Sequence, residues 1–161
     1  MLVREITPGD RPAVLAVVRA AFGAEYEPQL VEQIWGLAEY LPHLDLIAVD
    51  DGEVVGHVLC SRGWIGDKEV VALAPLCVRP DHQRTGVGHA LMEEVIRRAD
   101  DAGEPLIGLL GHKTYYPRFG FERASAIGIE PPWPLDDDAA FMVRRLRAYD
   151  ESYRGQFRYA F

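Results

Sequence analysis

Hydrophobic and polar positions along the first third of the chain follow helical and strand periods in turn. An apolar run over 2–7 predicts a first strand. Apolar residues then recur at helical spacing over 11–22, which predicts a first helix. A second helix is expected after Pro28, through about residue 39, and its inward side would carry Leu30, Ile34, Leu37 and Ala38.

The middle of the chain, residues 45–78, predicts three consecutive antiparallel strands. Asp51-Gly52 separates the first two, and this dipeptide adopts the left-handed dihedrals that match the twist of a hairpin. Gly66-Asp67 marks the next turn. Pro75 lies within the third strand, and because proline has no N–H, a gap or bulge in the sheet is expected there.

The second half of the chain predicts one long helix and several short strands. The helix spans 85–102, and its buried side would carry Val87, Leu91, Val95 and Ala99 at every fourth position. Strands are expected at 105–110, 121–129 and 139–146. No linker or repeat divides the sequence, so residues 1–161 are expected to form one α/β domain with a mixed sheet.

Charge and composition narrow the classes of function. The formal net charge of −8 argues against nucleic-acid binding, which needs a basic surface. No apolar run approaches the length that spans a membrane, and the first residues do not resemble a signal peptide, so a cytoplasmic location is expected. Cys60 and Cys77 are expected to be buried reduced thiols, and no Cys/His cluster predicts a metal.

Two glycines stand in the first turn of the long helix, within RPDHQRTGVGHAL. Glycine costs about 1 kcal/mol relative to alanine inside a helix, so Gly86 and Gly88 require an explanation. Helix N-termini carry unpaired N–H groups and a partial positive charge, and removing side chains there lets a phosphate reach them. Arg84 would add a charged donor. The alternative is a close contact between helix and sheet that needs small residues.

Two familiar phosphate-binding motifs do not fit this region. The dinucleotide motif GxGxxG requires a third small residue where Leu91 stands. GLLGHKT, residues 108–114, lacks the P-loop spacing because His112 separates Gly111 from Lys113. A strand with a gap that leads into a helix start would instead suit an extended amide arm joined to a diphosphate, which describes coenzyme A.

The stretch LCVRPDHQRTGVGHAL resembles the acetyl-CoA signature of the GNAT N-acetyltransferase superfamily. The match uses Val78, Pro80, Gln83, Gly86 and Gly88. TYYPRFGFERA resembles a second family feature, a tyrosine, here Tyr116, shortly before Gly120-Phe121. The resemblance implies a largely antiparallel central sheet, helices on both faces, and a splayed strand pair at the cofactor site.

The resemblance also implies roles for individual residues toward acetyl-CoA. The backbone of the strand would pair with the pantetheine arm at Leu76, Cys77 and Val78. The diphosphate would lie on a glycine loop, residues 83–88, which consists of Gln83, Arg84, Thr85, Gly86, Val87 and Gly88, with His89 beside it. The reaction implied is direct attack of a primary amine on the acetyl thioester, without a metal.

Tyr116 matches the family position that faces the coenzyme sulfur, which implies a general acid. The general base that would deprotonate the amine is less defined, because the strand over 70–78 contains no Asp or Glu. Deprotonation through water is the preferred hypothesis, and His112 is the first side chain to test. Other candidates for base or acceptor contact are His57, Glu25 and Glu27.

Several alternatives stay open from the sequence. The chain could be a non-catalytic acyl-CoA sensor, or it could transfer a longer acyl group. The acceptor is a small molecule or a protein amine, with the acidic balance slightly favouring a cation. Tyr115 is expected in the core or in a substrate wall. The segment over 148–161 is expected to cover the acceptor cleft or to meet a second subunit, since both a monomer and a homodimer are compatible with the sequence.

Overall fold

The computed structural model describes residues 1–161 and contains nine β-strands and three α-helices. The strands are β1 (Leu2–Glu5), β2 (Tyr40–Asp50), β3 (Glu53–Ile65), β4 (Lys68–Val78), β5 (Leu106–Leu110), β6 (Glu122–Arg123), β7 (Ile129–Glu130), β8 (Phe141–Arg145) and β9 (Gly155–Tyr159). The helices are α1 (Arg11–Phe22), α2 (Tyr26–Trp35) and α3 (Val87–Asp101).

The main path of the sheet runs in the order β1-β2-β3-β4-β5-β8-β6, and along this path only the β4–β5 pair is parallel. The short strand β7 also pairs parallel with β9. Helices cover both faces. The α3 side chains Leu91, Met92, Val95 and Ala99 are fully buried against one face, while Val14, Val18, Val31 and Ile34 of α1 and α2 are buried against the other. The predicted mixed α/β fold with a largely antiparallel sheet is therefore confirmed. None of the helices is long and apolar enough to cross a bilayer.

The second helix differs from its prediction in both boundaries. It begins at Tyr26, so that Pro28 lies inside the first turn, where a missing N–H costs no helical hydrogen bond. It ends at Trp35 with Gly36 as its C-cap, and its buried residues are Pro28, Val31 and Ile34. Ala38, expected to face inward, is exposed beyond the end of the helix.

The three central strands follow the predicted order and turns. Asp51 and Gly52 both have positive φ, 50° and 75°, as the first hairpin requires. At the predicted interruption, Ala74 and Pro75 of β4 lie opposite a single residue of β3, since Val58 pairs with Leu76 and Cys60 with Leu73. Pro75 therefore occupies a β-bulge, which accommodates its missing N–H.

The strands β4 and β5 separate soon after they meet. Their parallel register contains Val71 with Ile107 and Ala72 with Gly108, and it goes no further. The remainder of β4, from Leu73 to Val78, has no strand partner on its β5 side. Backbone N–H and C=O groups on that edge are available to another extended molecule. The predicted splayed strand pair is confirmed.

The strand predicted over 121–129 is wrong as a continuous element. It is divided into β6, which pairs with β8, and β7, which pairs with β9. A 3-10 turn at Ala124–Ile127 separates them, and Gly128 leaves this turn with a φ of 79°. The apolar run misled the prediction because Ala124 is buried inside a turn rather than along a strand.

The C-terminal segment forms part of the sheet. Strand β9 pairs antiparallel with Gly63–Ile65 at the end of β3. Its Phe157 is fully buried, 5.1 Å from the ring of Phe141, and it fills the space that the absent side chains of Gly63 and Gly108 leave free. Through Phe157 this segment belongs to the hydrophobic core of its own chain, and its expected role over the acceptor cleft or against a second subunit stays a prediction.

Replacing Phe157 with alanine is expected to lower the free energy of unfolding by about 3–5 kcal/mol, because the glycine-lined space cannot collapse around the smaller side chain. Chemical denaturation measures this change. Tyr26→Ala is the control, since Tyr26 is 71% exposed. A loss below about 1 kcal/mol would contradict the inclusion of β9 in the core.

Candidate active site

A cavity of about 780 Å³, here called the main cavity, lies where β4 leaves β5 and where α3 begins. Four parts of the chain line it: the end of α1, the end of β4, the glycine loop with the start of α3, and the segment after β5. The lining residues are Ala21, Phe22, Leu76, Cys77, Val78, Gln83, Arg84, Gly86, Gly88, His89, His112, Tyr115, Tyr116 and Arg118.

Most residues that the sequence singled out for acetyl-CoA line the main cavity. Two members of the glycine loop do not. The Thr85 hydroxyl donates a hydrogen bond to the carbonyl of His82, and the Val87 side chain is only 3% exposed within the core beneath α3. Neither of these two side chains lines the main cavity.

Sequence reasoning missed Ala21, Phe22 and Arg118 as lining residues. Phe22 ends α1 with 41% of its surface exposed, which is unusual for a large aromatic side chain. Its position next to the Gly23 cap was the available signal. Arg118 lies between Tyr116 and Gly120 in the TYYPRFGFERA motif, where its positive charge was the available signal.

The start of α3 has the backbone that an anion site requires. Gly86 is the N-cap residue with a φ of 91°, and Arg84 before it has a φ of 62°. No atom lies within 4 Å of the place where a Gly86 side chain would begin, so glycine is required there by conformation rather than by space. Successive backbone turns of this kind point N–H groups toward a common point.

Gly88 has a different reason to be glycine. A Cβ atom added there would lie 2.9 Å from the hydroxyl oxygen of Tyr115. The alternative explanation, a close packing contact, therefore applies to Gly88, although its partner is an aromatic side chain rather than the sheet. The two glycines serve separate purposes, one conformational and one steric.

The charges around the main cavity favour an anionic ligand. Its lining contains Arg84 and Arg118 but no Asp or Glu. Neither arginine forms an ion pair, in contrast to Arg79 nearby, which contacts two carboxylates. Arg118 is held instead by Tyr115, whose ring lies 4.6 Å below the guanidinium and whose carbonyl accepts from Nε at 2.8 Å. A protein with a net charge of −8 thus keeps two unpaired cations at one site.

Tyr116 lies between the main cavity and the core. Its ring packs against Gly111 and meets Phe121 edge-on with centroids 5.9 Å apart. Burial raises the pKa of the Tyr116 phenol to about 12, so the hydroxyl keeps its proton at neutral pH. A protonated phenol at this position is able to donate a proton or a hydrogen bond.

The two histidines of the main cavity differ in their contacts. His89 Nε2 lies 2.9 Å from a carboxylate oxygen of Glu93, and its ring is 5.1 Å from that of Phe119. His112 is exposed at the start of the segment that follows β5, and its side chain forms no hydrogen bond. The His112 side chain is therefore free to contact a ligand.

The carboxylates proposed for the acceptor lie outside the main cavity. Glu25 is exposed and accepts a 2.6 Å hydrogen bond from Arg19, which holds the pKa of this carboxyl below its usual range. Glu27 does not line the main cavity, and one of its oxygens is buried without a partner. The structure does not bring either residue together with Tyr116.

His57 is also absent from the lining, because it is fully buried beneath α1 and α2. Its Nε2 lies 2.6 Å from one oxygen of Asp45, which is itself fully buried. The other oxygen of Asp45 accepts from Trp35 Nε1 at 2.9 Å and from the Tyr40 hydroxyl at 2.6 Å. This polar network joins α2 to two strands, which is a structural role.

The cysteines are buried and unbridged, as predicted. Cys77 is at the wall of the main cavity but only 5% exposed. Burial raises the pKa of its thiol to about 12, which disfavours the nucleophilic thiolate. No group of three or more His, Cys, Asp or Glu side chains is arranged to hold a metal ion.

Comparison with known proteins agrees with this geometry. The acetyltransferase (GNAT) family model matches residues 12–121. YjhQ of Escherichia coli K12, named as an uncharacterized N-acetyltransferase, is 34% identical over 158 residues, which cover 94% of this chain and 87% of that protein. The chain therefore belongs to the GNAT family and is an acyltransferase.

Two solved structures place the same fold around a coenzyme. The crystal structure of E. coli YhbS, a GNAT family N-acetyltransferase, in complex with CoA has a TM-score of 0.90 at 29% identity and covers 98% of this chain and 88% of that one. A GNAT family acetyltransferase from Brucella melitensis in complex with acetyl-CoA has a TM-score of 0.79 at 27% identity, with coverage of 98% and 94%.

The buried network around Asp45 gives a prediction about stability. Asp45→Asn leaves one acceptor oxygen for three donors, so the free energy of unfolding is expected to fall by about 3 kcal/mol. Asp50→Asn is the control, because Asp50 is a surface residue whose ion pairs contribute less than about 1 kcal/mol. Equal unfolding curves for the two variants would contradict the structural role of the network.

Proposed function

We propose that this protein transfers the acetyl group of acetyl-CoA to a primary amine by direct attack, with residues 1–161 acting as one catalytic domain. The observation that carries the proposal is the continuity of the main cavity. It runs from the unpaired edge of β4 to the N-terminus of α3, where two arginines lack carboxylate partners. An extended amide arm joined to a diphosphate fits these two ends in that order.

Acetyl-CoA would contact the two ends differently. The main chain of Leu76, Cys77 and Val78 would pair with the pantetheine amides, as a further strand would. The main-chain N–H groups of residues 83–88 and the Arg84 guanidinium would bind the diphosphate. His89 would lie at the edge of this site. Two relatives of the same fold hold CoA or acetyl-CoA, which supports this choice of coenzyme.

The reaction requires a neutral amine and a protonated leaving group. The amine nitrogen attacks the thioester carbonyl, the C–N bond forms, and the C–S bond breaks. The departing thiolate takes a proton, which the Tyr116 hydroxyl would supply because its raised pKa keeps it protonated. The nitrogen loses one proton to water as the amide forms, and the Tyr116 phenolate regains a proton from solvent.

Deprotonation of the amine through water is the simplest route, since no carboxylate lines the main cavity. His112 is the side chain best placed to assist, because it lines the main cavity and has no hydrogen-bonding partner. Glu25 and Glu27 would act only at a distance, as charges near the entrance. Buried His57 has no direct access to the amine.

The acceptor would have an apolar body beside its amine. Ala21 and Phe22 line the part of the main cavity that α1 provides, and no Asp or Glu accompanies them. A polycation would find no carboxylate partner there. This lining outweighs the acidic balance of the whole chain, which had slightly favoured a cationic acceptor.

Release of free CoA thiol from acetyl-CoA in the presence of an amine panel tests the proposal. Arylalkylamines and alkylamines are expected to give thiol faster than polyamines do. Failure of every amine class, while CoA still stabilises the protein, would favour a non-catalytic acyl-CoA sensor. Faster reaction with longer acyl-CoA thioesters would replace acetyl as the transferred group.

Tyr116→Phe is expected to lower kcat by about 10²-fold or more with little change in the Kd for CoA, because only the transferable proton is lost. Steady-state kinetics and calorimetry measure the two quantities. An equal loss of affinity and turnover would identify Tyr116 as a packing residue instead of an acid.

Gly86→Val is expected to abolish CoA binding, because valine does not adopt a φ of 91° and the loop main chain must change. In a thermal shift assay, CoA at 100 times its Kd stabilises the unaltered protein by about 2.7 kcal/mol, and this gain should disappear. Gly66→Val is the matched control, because Gly66 also has a positive φ, 63°, but lies in a turn outside the main cavity. CoA stabilisation that survives in Gly86→Val would reject the loop assignment.

A further inference from the structure

The hydroxyl of Tyr115 lies directly over the first turn of α3. Its oxygen is 2.9 Å from the point where a Gly88 side chain would begin, and Gly88 is the second residue of that helix. No protein group forms a hydrogen bond with this hydroxyl. Tyr115 also lines the main cavity. Its phenol therefore occupies part of the space beside Gly88 in which the sequence predicted only a ligand.

The Tyr115 ring is held from several sides. The Arg118 guanidinium covers one face at 4.6 Å. Phe119 meets the ring edge-on at 5.4 Å and an interplanar angle of 68°, and Tyr116 does so at 5.0 Å and 85°. Because three neighbours hold the ring, the hydroxyl has one position, and little rotational freedom is lost when a ligand binds.

The surroundings of this hydroxyl contain several donors and no carboxylate. The N-terminal N–H groups of α3 are donors, and Arg84 and Arg118 contribute only donors. Burial raises the pKa of Tyr115, so the phenol stays protonated and is a donor as well. An oxygen-rich anion satisfies all of these groups together, whereas water satisfies them less completely.

We propose that Tyr115 binds the diphosphate of acetyl-CoA through its hydroxyl, and that Gly88 and Arg118 hold the phenol in position for this contact. The inference rests on the proposed function, since it assigns a side-chain ligand to the same coenzyme. It also gives the two adjacent tyrosines different roles. Tyr115 serves the phosphate end of the main cavity, and Tyr116 serves the thioester end.

Isothermal titration of CoA into Tyr115→Phe tests the contact. Loss of a hydrogen bond to a charged oxygen is expected to raise the Kd by about tenfold or more, while the ring still supports Arg118. Tyr153→Phe is the matched control, because Tyr153 lies outside the main cavity beside Lys68. An unchanged Kd in Tyr115→Phe would overturn the proposal.

Gly88→Ala, made in both backgrounds, tests how the phenol is held. The added methyl group displaces the Tyr115 hydroxyl, so CoA affinity should fall in the unaltered protein but hardly change further in Tyr115→Phe. An equal loss in both backgrounds would mean that Gly88 serves the ligand directly, which contradicts the proposed arrangement. Melting curves without CoA separate any effect on folding.

The phosphorus NMR spectrum of bound CoA provides a readout that general destabilisation does not move. The diphosphate resonances are expected to shift in Tyr115→Phe and to stay in place in Tyr153→Phe. Identical spectra would overturn the contact. If the unaltered protein does not bind CoA at all, the proposed function fails together with this inference, whereas CoA binding that ignores Tyr115 removes the inference alone.

Discussion

The early separation of β4 from β5 is the constraint on which the rest of the structure depends. A parallel pair that stops at Ala72 leaves the end of β4 with backbone groups that no strand satisfies. The bulge at Pro75 adds to this interruption, and the strand then leads through the glycine loop into α3. The main cavity exists because the sheet is left incomplete at this point, with a helix N-terminus at one end of the gap.

Contacts on either side of the gap between β4 and β5 stabilise the sheet around it. Phe157 anchors β9 across the closed part of the sheet, in space left by Gly63 and Gly108. On the helical side, the Asp45 network joins α2 to β2 and β3 through buried hydrogen bonds. Buried side chains therefore pack on both sides of the gap, while the edge of β4 stays available.

Local patterns predicted the parts of the fold that local physics determines. Helical spacing gave α3 and its buried stripe, and Asp51-Gly52 gave the hairpin turn, because both depend on neighbours in sequence. The break at 124–127 and the docking of β9 depend on contacts between distant residues, which periodicity does not report. The same distinction between local and distant contacts applies to the candidate active site. The loop glycines were visible in the sequence, whereas the contact between Tyr115 and Gly88 joins residues that are adjacent only in space.

The central claim is that main-chain amides at the start of α3 bind a nucleotide-linked diphosphate while β4 pairs with the attached arm. A crystal structure of the protein soaked with acetyl-CoA tests it most directly. We expect diphosphate oxygens within hydrogen-bonding distance of the amides in residues 84–88 and pantetheine amides beside residues 76–78. Coenzyme density elsewhere on the protein, with the glycine loop contacting only solvent, would contradict it.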